Sequence, residues 1–325
     1  MANKKRLLRA FVISSCILTA YALLLIPTSG QEPAKAPEQA SVILNVLVLD
    51  KHNRPVTDVT QDQLRVFEDG KPQTISYFSK EELPISYALV IDISGSLRHQ
   101  FGKVLDCAKT LVDNNHPNDD TFLIAFKDKA SAMLPDFTSD KASLWNGISE
   151  LDQWKGGKTA IIDALYLSID PLAEHKRDES AAQRRRAVIL ISDGADYDSY
   201  YKPDEFLKRL KTENVQFFAI ALTSELDNSE SISAYRRSPR ERATSLLKRL
   251  AEETGGYVLF AEPKSNIQSL AKDTMLYLRT QYVVAYKPAV PTREGSSHKV
   301  RVKVTEKPGE QRSAITRTGY TARKP

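Results

Sequence analysis

The chain has 325 residues, a formal net charge of +5 and two cysteines. Its first thirty residues contain four basic and no acidic side chains, so the rest of the chain carries a formal charge of about +1. Nucleic-acid binding finds no support in this composition, because it needs a concentrated basic face. No internal disulfide is expected, because Cys16 lies in an N-terminal apolar run and leaves Cys107 without a partner.

Residues 1–30 have the layout of an export signal. The four basic residues precede an apolar run at 10–26, and small residues follow at 28–30. This order is typical of a signal peptide. The run is slightly long for a cleaved signal and slightly short for a membrane span, so an uncleaved N-terminal anchor stays open. The sequence therefore predicts an exported protein that is periplasmic, secreted or anchored at the cell surface. Residues 31–40 predict a linker.

Residues 41–80 predict a β segment. Apolar runs at 42–49, 64–68 and 74–78 alternate with turns. Asp69-Gly70 lies between two of these runs and predicts a hairpin, because Gly supplies the positive φ that the turn requires. Nothing in this segment resembles a catalytic constellation.

Residues 84–281 alternate between strand and helix patterns. Apolar strands are predicted at 85–91, 121–126, 187–192, 215–222 and 256–261, with a short antiparallel edge within 131–137. Helices are predicted at 101–113, 140–151, 160–168, 203–213, 241–254 and 265–281. Strands that are apolar on both faces, with helices between them, indicate an α/β fold with a doubly wound, mostly parallel, Rossmann-like sheet.

The remaining segments are predicted to be loops and a β tail. Residues 223–240 predict an exposed loop, and the basic cluster Arg184-Arg185-Arg186 is interpreted as a solvated loop before a strand. Residues 282–320 return to a β pattern. Each β flank is short for a core of its own, whereas the two together form about eighty residues. We therefore predict that 282–320 packs with 41–80, with 84–281 inserted between them.

Oxygen-bearing side chains occur where strands are predicted to end. Asp92-Ile93-Ser94-Gly95-Ser96 follows one apolar run, Asp193 ends another, and Thr159 follows Gly156-Gly157-Lys158. Two carboxylates and three hydroxyls, without His or Cys, suit a hard divalent cation rather than zinc or copper. Ligands of such sheets bind beyond the carboxyl ends of the strands. The alternative is that Asp92 and Asp193 only cap the loops and helices that follow.

This pattern resembles the von Willebrand factor A domain and its metal-ion-dependent adhesion site, in which D-x-S-x-S is followed by a Thr and then an Asp. The resemblance implies a metal site of Asp92, Ser94, Ser96, Thr159 and Asp193, with the hydroxyls as direct ligands and the carboxylates acting through water. Mg²⁺ is the expected cation, with Ca²⁺ or Mn²⁺ as alternatives. The family usually has a small residue where this chain has Lys158, which either competes with the metal or braces an incoming carboxylate.

Over residues 41–320, the order of β hairpin, A domain and β tail is similar to exported bacterial proteins known as VWFA-related acidobacterial domain proteins. The function that the resemblance implies is metal-dependent protein binding or adhesion. The open cation site would bind a Glu or Asp carboxylate of a partner protein, and a membrane would be contacted only through an uncleaved N-terminal anchor.

Two other function classes stay open. A metal-dependent hydrolase would also use a strand-end Asp and Mg²⁺. The motif, however, has no general base beside it, since His99 is interpreted as a surface residue, and a Gly-rich phosphate loop is missing. We therefore expect no enzymatic activity. The third class is a structural scaffold whose metal never exchanges ligands.

Overall fold

Three sheets and six helices account for most of the computed structural model, which describes residues 41–151, 157–175, 184–226, 238–290, 292–305 and 310–322. The predicted export signal and linker, Gly156 and most of the predicted loop at 223–240 lie outside these residues. The described residues belong to one compact unit, Pro37–Pro325. Within them, no helix is both long and apolar enough to cross a bilayer.

The strands, in chain order, are β1 Val42–Asp50, β2 Leu64–Glu68, β3 Lys71–Gln73, β4 Ile75–Ser79, β5 Ile85–Asp92, β6 Asp120–Phe126, β7 Ala130–Ala132, β8 Arg185–Ser192, β9 Gln216–Ala221, β10 Val258–Phe260, β11 Gln281–Tyr286, β12 Ser297–Val304, β13 Arg312–Ile315 and β14 Gly319–Thr321. The α-helices are α1 Phe101–Asp113, α2 Lys141–Glu150, α3 Ile161–His175, α4 Pro203–Glu213, α5 Pro239–Thr254 and α6 Ile267–Arg279.

The central sheet has six strands in the order β10-β9-β8-β5-β6-β7. Every pair in it is parallel except β6 with the edge strand β7. Side chains alternate between its two faces. Leu89 of β5 packs in the core on the face of α1 and α6, whereas Val90 packs on the face of α3 and α4. The predicted doubly wound, mostly parallel sheet is thus confirmed, because both faces of its strands are buried.

The helices follow the predicted bounds closely, with one clear exception. The observed α1 and α4 coincide with the predicted 101–113 and 203–213. By contrast, α3 continues through Pro171 to His175, beyond the predicted end at 168. A proline removes one helical hydrogen bond. Ile169 and Leu172 are nevertheless fully buried in the core, and their packing keeps this last stretch helical.

The expectation that Arg184-Arg185-Arg186 forms a solvated loop was wrong. Arg185 and Arg186 begin β8, and both are buried, with 1% and 7% of their surface exposed. Arg185 donates hydrogen bonds to the carbonyl oxygens of Leu278, Arg279 and Gln281, which lie at the end of α6 and the start of β11. The charge of Arg185 can be buried because its guanidinium donates hydrogen bonds to main-chain oxygens at a helix end.

The two β flanks pair with each other in two further sheets, here called the β module (strands β1–β4 and β11–β14). One sheet has the order β13-β1-β11-β4 and the other β14-β12-β2-β3. Strand β1 lies antiparallel to β11, and β2 lies antiparallel to β12. The facing sides share a core that includes Leu44, Val66, Val284 and Val302. Leu47 of β1 packs instead in the core of the central sheet, so the two parts are joined by shared apolar contacts.

Candidate metal centre

The strand order of the large sheet reverses direction between the neighbouring strands β5 and β8. From β5 the chain continues to β6 on one side of the sheet, whereas from β8 it continues to β9 on the other side. The loops that follow β5 and β8 therefore diverge, and the point of divergence is where α/β sheets bind ligands. Asp92 is the last residue of β5, and Asp193 directly follows β8.

The loop after β5 brings its hydroxyls beside the second carboxylate. The Ser94 amide donates to Asp92 Oδ1 at 2.9 Å, which turns the chain sharply after the strand. The Ser94 and Ser96 hydroxyl oxygens lie 3.0 Å apart. The Ser96 hydroxyl also lies beside Asp193, where it favours the ionised form of that carboxylate and acts against the rise in pKa that burial causes. Four of the five predicted metal ligands thus lie close together.

The loop that precedes α3 supplies the fifth predicted ligand, Thr159. It contacts the loop after β5 through the Gly95 amide, which donates to the Gly157 carbonyl at 3.2 Å. It contacts the loop after β8 through the Tyr197 amide, which donates to the Thr159 carbonyl at 3.0 Å. Thr159 itself is 2% exposed. All three predicted segments therefore meet at this edge of the sheet.

Glycine is required at position 157 for two reasons. Its φ is 110°, a conformation that other residues rarely adopt, and a Cβ there would lie 2.7 Å from Asp128 Oδ2. The same Asp128 side chain accepts a hydrogen bond from the Lys158 amide at 2.7 Å. The close packing of this loop explains why Thr159 is held against the other two segments.

Ser192 is a site residue that the sequence pattern did not reveal as such. Its hydroxyl donates to Asp92 Oδ2 at 2.6 Å and accepts the Gly194 amide at 2.9 Å. It therefore orients the Asp92 carboxylate from the neighbouring strand. The available signal was its position one residue before Asp193, since a hydroxyl at the end of a central strand can reach across to the next strand.

Two further carboxylates support the loop after β8. Asp163 in the first turn of α3 accepts the amides of Tyr200 and Tyr201 at 3.0 and 2.9 Å. In return, Asp196 accepts the Ile161 amide at 3.1 Å, at the N-terminus of the same helix. Acidic side chains are favourable at this end of a helix. These contacts fix the loop that carries Asp193 against the loop that carries Thr159.

The two central carboxylates form a buried concentration of negative charge. Burial, and then the neighbouring Asp193 charge, raises the pKa of the Asp92 carboxyl to about 7. Burial likewise raises the pKa of Asp193. Lys158, the residue before Thr159, pairs instead with Asp198, at 3.6 Å and in an exposed position. Within the described part of the chain, no Lys, Arg or His forms an ion pair with Asp92 or Asp193.

This donor set fits a divalent cation. Carboxylate and hydroxyl oxygens are the ligands that hard cations take. A cation between the two carboxylates would also keep both of them ionised, which burial alone opposes.

Comparison with known families agrees with this fold. The profile of the von Willebrand factor type A domain matches residues 88–273, more than half of the chain. The chain belongs to this family. Its VWA domain therefore contains all five predicted ligands within the matched residues. VWA domains generally mediate metal-dependent protein interactions, and they commonly hold a divalent metal ion at the adhesion site.

Several solved structures resemble the chain at low sequence identity. An aerotolerance-related membrane protein from Bacteroides fragilis NCTC 9343 is 20% identical, with 60% of this chain and 98% of that chain covered and a TM-score of 0.46. A von Willebrand factor type A protein from Catenulispora acidiphila is 12% identical, with coverages of 90% and 75% and a TM-score of 0.47. Proximal thread matrix protein 1 from the mussel byssus, with a zinc-occupied adhesion-site motif, is 21% identical, with coverages of 65% and 50% and a TM-score of 0.44. No curated protein sequence matches the chain significantly.

Proposed function

We propose that the VWA domain binds a divalent cation through Asp92, Ser94, Ser96, Thr159 and Asp193, and that it uses this cation to capture a Glu or Asp side chain of a partner protein. The observation that carries the proposal is the pair of buried carboxylates at the ends of neighbouring strands, with serine hydroxyls beside them and no ion pair to any described basic side chain.

The hydrogen bonds of Asp92 support an indirect role for its carboxylate. Oδ1 accepts the Ser94 amide and Oδ2 accepts the Ser192 hydroxyl, so both oxygens are already engaged by the protein. The hydroxyls of Ser94, Ser96 and Thr159 are neutral ligands and leave most of the charge of a cation uncompensated. A bound cation would supply a coordination position for an outside carboxylate. Mg²⁺ suits this arrangement best, because it normally retains several waters, with Ca²⁺ and Mn²⁺ as alternatives.

The surface beside the site favours an acidic protein partner. A cavity of about 270 Å³ is lined by Ile93, which lies between two of the ligands, by Met133, and by two lysines and one carboxylate, Lys127, Lys129 and Asp128. Its lysines attract negative charge, and its apolar walls can accept a side chain next to the captured carboxylate. On the loop after β8, Tyr200 is 81% exposed, and exposed aromatic residues are typical of protein interfaces.

Enzymatic activity is not part of the proposal. His99, the histidine closest to the motif in sequence, is exposed on a short 3₁₀ helix and forms no described contact with Asp92. The alternative of a scaffold with a non-exchanging metal differs from the proposal only in partner capture. For the location we propose export, because residues 1–30 have the layout of a signal peptide or anchor.

The test is partner capture by a Thr159→Ala variant. Immobilised chain should retain proteins from an exported-protein lysate in Mg²⁺ and release them in EDTA. A synthetic peptide with a Glu should compete, and the matched Gln peptide should not. Thr159→Ala should lose this capture and change the melting temperature by no more than about 2 °C, since a neutral hydroxyl contributes little to the fold.

Asp198→Ala is the matched control, because Asp198 is an exposed carboxylate of the loop after β8 that pairs with Lys158 and is not a proposed ligand. It should capture partners as the parent does. Normal, EDTA-sensitive capture by Thr159→Ala would contradict the proposal and favour the scaffold.

A further inference from the structure

The β module brings three chemically active side chains together from distant parts of the chain. Strands β2 and β12 pair antiparallel, with Glu68 opposite Val300. The tight turn after β2 places Asp69 next to β12, where its amide donates to the Lys299 carbonyl at 2.9 Å. His298, the neighbouring residue of β12, therefore faces both acidic residues. This cluster lies outside the VWA family match.

The three side chains bring their ligand atoms close together. His298 Nδ1 lies 2.8 Å from Asp69 Oδ2 and 3.7 Å from Glu68 Oε1. All three atoms lie within 4.8 Å of one another. Bonds of about 2.1 Å to a tetrahedral metal place neighbouring ligands about 3.4 Å apart, so small side-chain movements would suffice for coordination.

Hydrogen bonding around His298 determines where its ring hydrogen lies. The Ser296 hydroxyl is 2.5 Å from the Arg293 carbonyl oxygen and 2.8 Å from His298 Nε2. A carbonyl oxygen cannot donate a hydrogen bond, so the Ser296 hydroxyl donates to the Arg293 carbonyl. The Ser296 hydroxyl oxygen therefore accepts a hydrogen bond from Nε2–H of His298. In a neutral ring Nδ1 then carries no hydrogen, and its lone pair points at two carboxylate oxygens. A cation between the three atoms removes this repulsion.

In each carboxylate, one oxygen accepts hydrogen bonds from the protein and the other oxygen faces His298. Glu68 is only 6% exposed, and its Oε2 accepts the hydroxyls of Tyr286 and Tyr320 at 2.5 and 3.1 Å. Asp69 Oδ1 accepts the Lys299 amide at 2.9 Å. Metal ligands in proteins are typically oriented by such outer hydrogen bonds. Here all three ligands have them.

We propose that Glu68, Asp69 and His298 form a second metal site, which takes a borderline divalent cation of the Zn²⁺ class. One imidazole nitrogen and two carboxylate oxygens suit Zn²⁺, whereas the hydroxyl-rich site of the VWA domain suits a harder cation. The metal would fasten the turn after β2 to β12 and so stabilise the β module, because it binds the folded chain and not the unfolded one.

The test is Zn²⁺ titration of the full chain carrying Asp92→Ala, which removes the VWA site from the measurement. Calorimetry should show one Zn²⁺ per chain, and the nitrogen NMR signal of His298 Nδ1 should shift on binding. Adding Asp69→Asn or His298→Gln should weaken binding at least tenfold. Asn suits position 69, where φ is 48°, so this variant should fold.

His116→Ala is the matched control, because His116 pairs with the single carboxylate of Glu82, at 2.9 Å, instead of with two. It should bind Zn²⁺ like the Asp92→Ala parent. The proposal is overturned if the Asp92→Ala chain binds no Zn²⁺, or if it binds equally well after His298→Gln. In the first case the contact between His298 and Asp69 would be only a hydrogen bond that fastens the turn after β2 to β12.

Discussion

Asp92, at the end of β5, and Asp198, on the loop after β8, both lie at the carboxyl edge of the central sheet, but they differ in burial. Asp92 is fully buried beside Asp193, whereas about half of the Asp198 side chain is exposed. We expect Asp92→Ala to abolish Mg²⁺ and Mn²⁺ binding in calorimetry and to leave the circular dichroism spectrum unchanged. Mg²⁺ at a hundred times its Kd should stabilise the parent by about 2.7 kcal/mol and the variant not at all.

Asp198→Ala, as the matched variant, should bind Mg²⁺ with the affinity of the parent. Equal Mg²⁺ binding by the parent and by Asp92→Ala would show that the site is assigned to the wrong residues.

In the metal-free protein, Asp92 should make the stability depend on pH. Burial raises its pKa from 3.8 to about 7. Between these values the folded chain holds a proton that the unfolded chain has lost. The resulting stabilisation is complete below pH 3.8 and is lost as the pH rises through 7. From pH 5.5 to pH 7, we expect the free energy of unfolding to fall by about 1.6 kcal/mol, because the slope is about 1.4 kcal/mol for each pH unit well below the folded pKa and half of that at pH 7.

Urea unfolding in EDTA at both pH values measures this change, with Asp92→Asn as the control that cannot titrate. The variant should lack the fall that Asp92 causes in the parent. If parent and variant lose the same stability between the two pH values, the carboxyl of Asp92 is not the titrating group.

The sequence predicted which residues meet at the proposed metal site, because a strand-end Asp followed by hydroxyls is a local pattern. It did not predict how Asp92 is oriented. The Ser192 hydroxyl that holds Asp92 Oδ2 comes from the adjacent strand, a hundred residues away. Which hydroxyl reaches which carboxylate depends on the register of β5 with β8, and that register is a property of the folded sheet.

At the scale of secondary-structure elements, Arg185 joins β8 to the end of α6. Its guanidinium donates to three main-chain carbonyl oxygens, and burial lowers its pKa to about 10, so it stays charged at neutral pH. Arg185→Leu should lower the free energy of unfolding by about 3 kcal/mol or more, since it leaves these buried acceptors without a donor. Chemical denaturation measures the loss.

Arg249→Leu is the matched control at the surface, where Arg249 pairs with Asp204 and Glu253. Exposed ion pairs contribute little, so we expect a change below about 1 kcal/mol. Similar losses in the two variants would show that the contacts of Arg185 at the helix end are not important for stability.

Helix and strand bounds were predictable where a local signal marks the end. Pro203 begins α4, and Asn214, which follows α4 in a left-handed conformation, ends it. The interpretation of Arg185 was wrong for a related reason. A run of arginines indicates a solvent-exposed segment unless buried hydrogen-bond acceptors are available. The acceptors of Arg185, at 278–281, lie about ninety residues further along the chain.

For the whole molecule, the pairing of β1 with β11 makes the N-terminal strand depend on the C-terminal tail. Val46 pairs with Tyr282, and Val66 of β2 pairs with Val302 of β12. A chain that ends at Gln281 should therefore lose hydrogen-exchange protection at Val46 and Val66, because the deletion removes β11, which pairs with β1, and β12, one of the two strands that pair with β2. Leu89 at the centre of β5 should stay protected and serves as the internal control.

Unchanged protection at Val46 and Val66 in the truncated chain would contradict this dependence.

The sequence predicted that the two flanks pack together, because each is too short to bury a core alone. The cluster around His298 was not predicted, since it exists only when β2 and β12 pair across more than two hundred residues.

Strand order also determines what an unfinished chain exposes. The ribosome synthesises β1 early, but β11, which pairs with it, is synthesised only after residue 280, and the partner of Val46 is Tyr282. Until then, β1 presents an apolar strand with unpaired amides, which favours aggregation. Every chain interrupted between β5 and β11 would carry this exposed strand. Proteases and chaperones that recognise extended apolar segments could therefore distinguish an incomplete copy from a finished one by β1 alone.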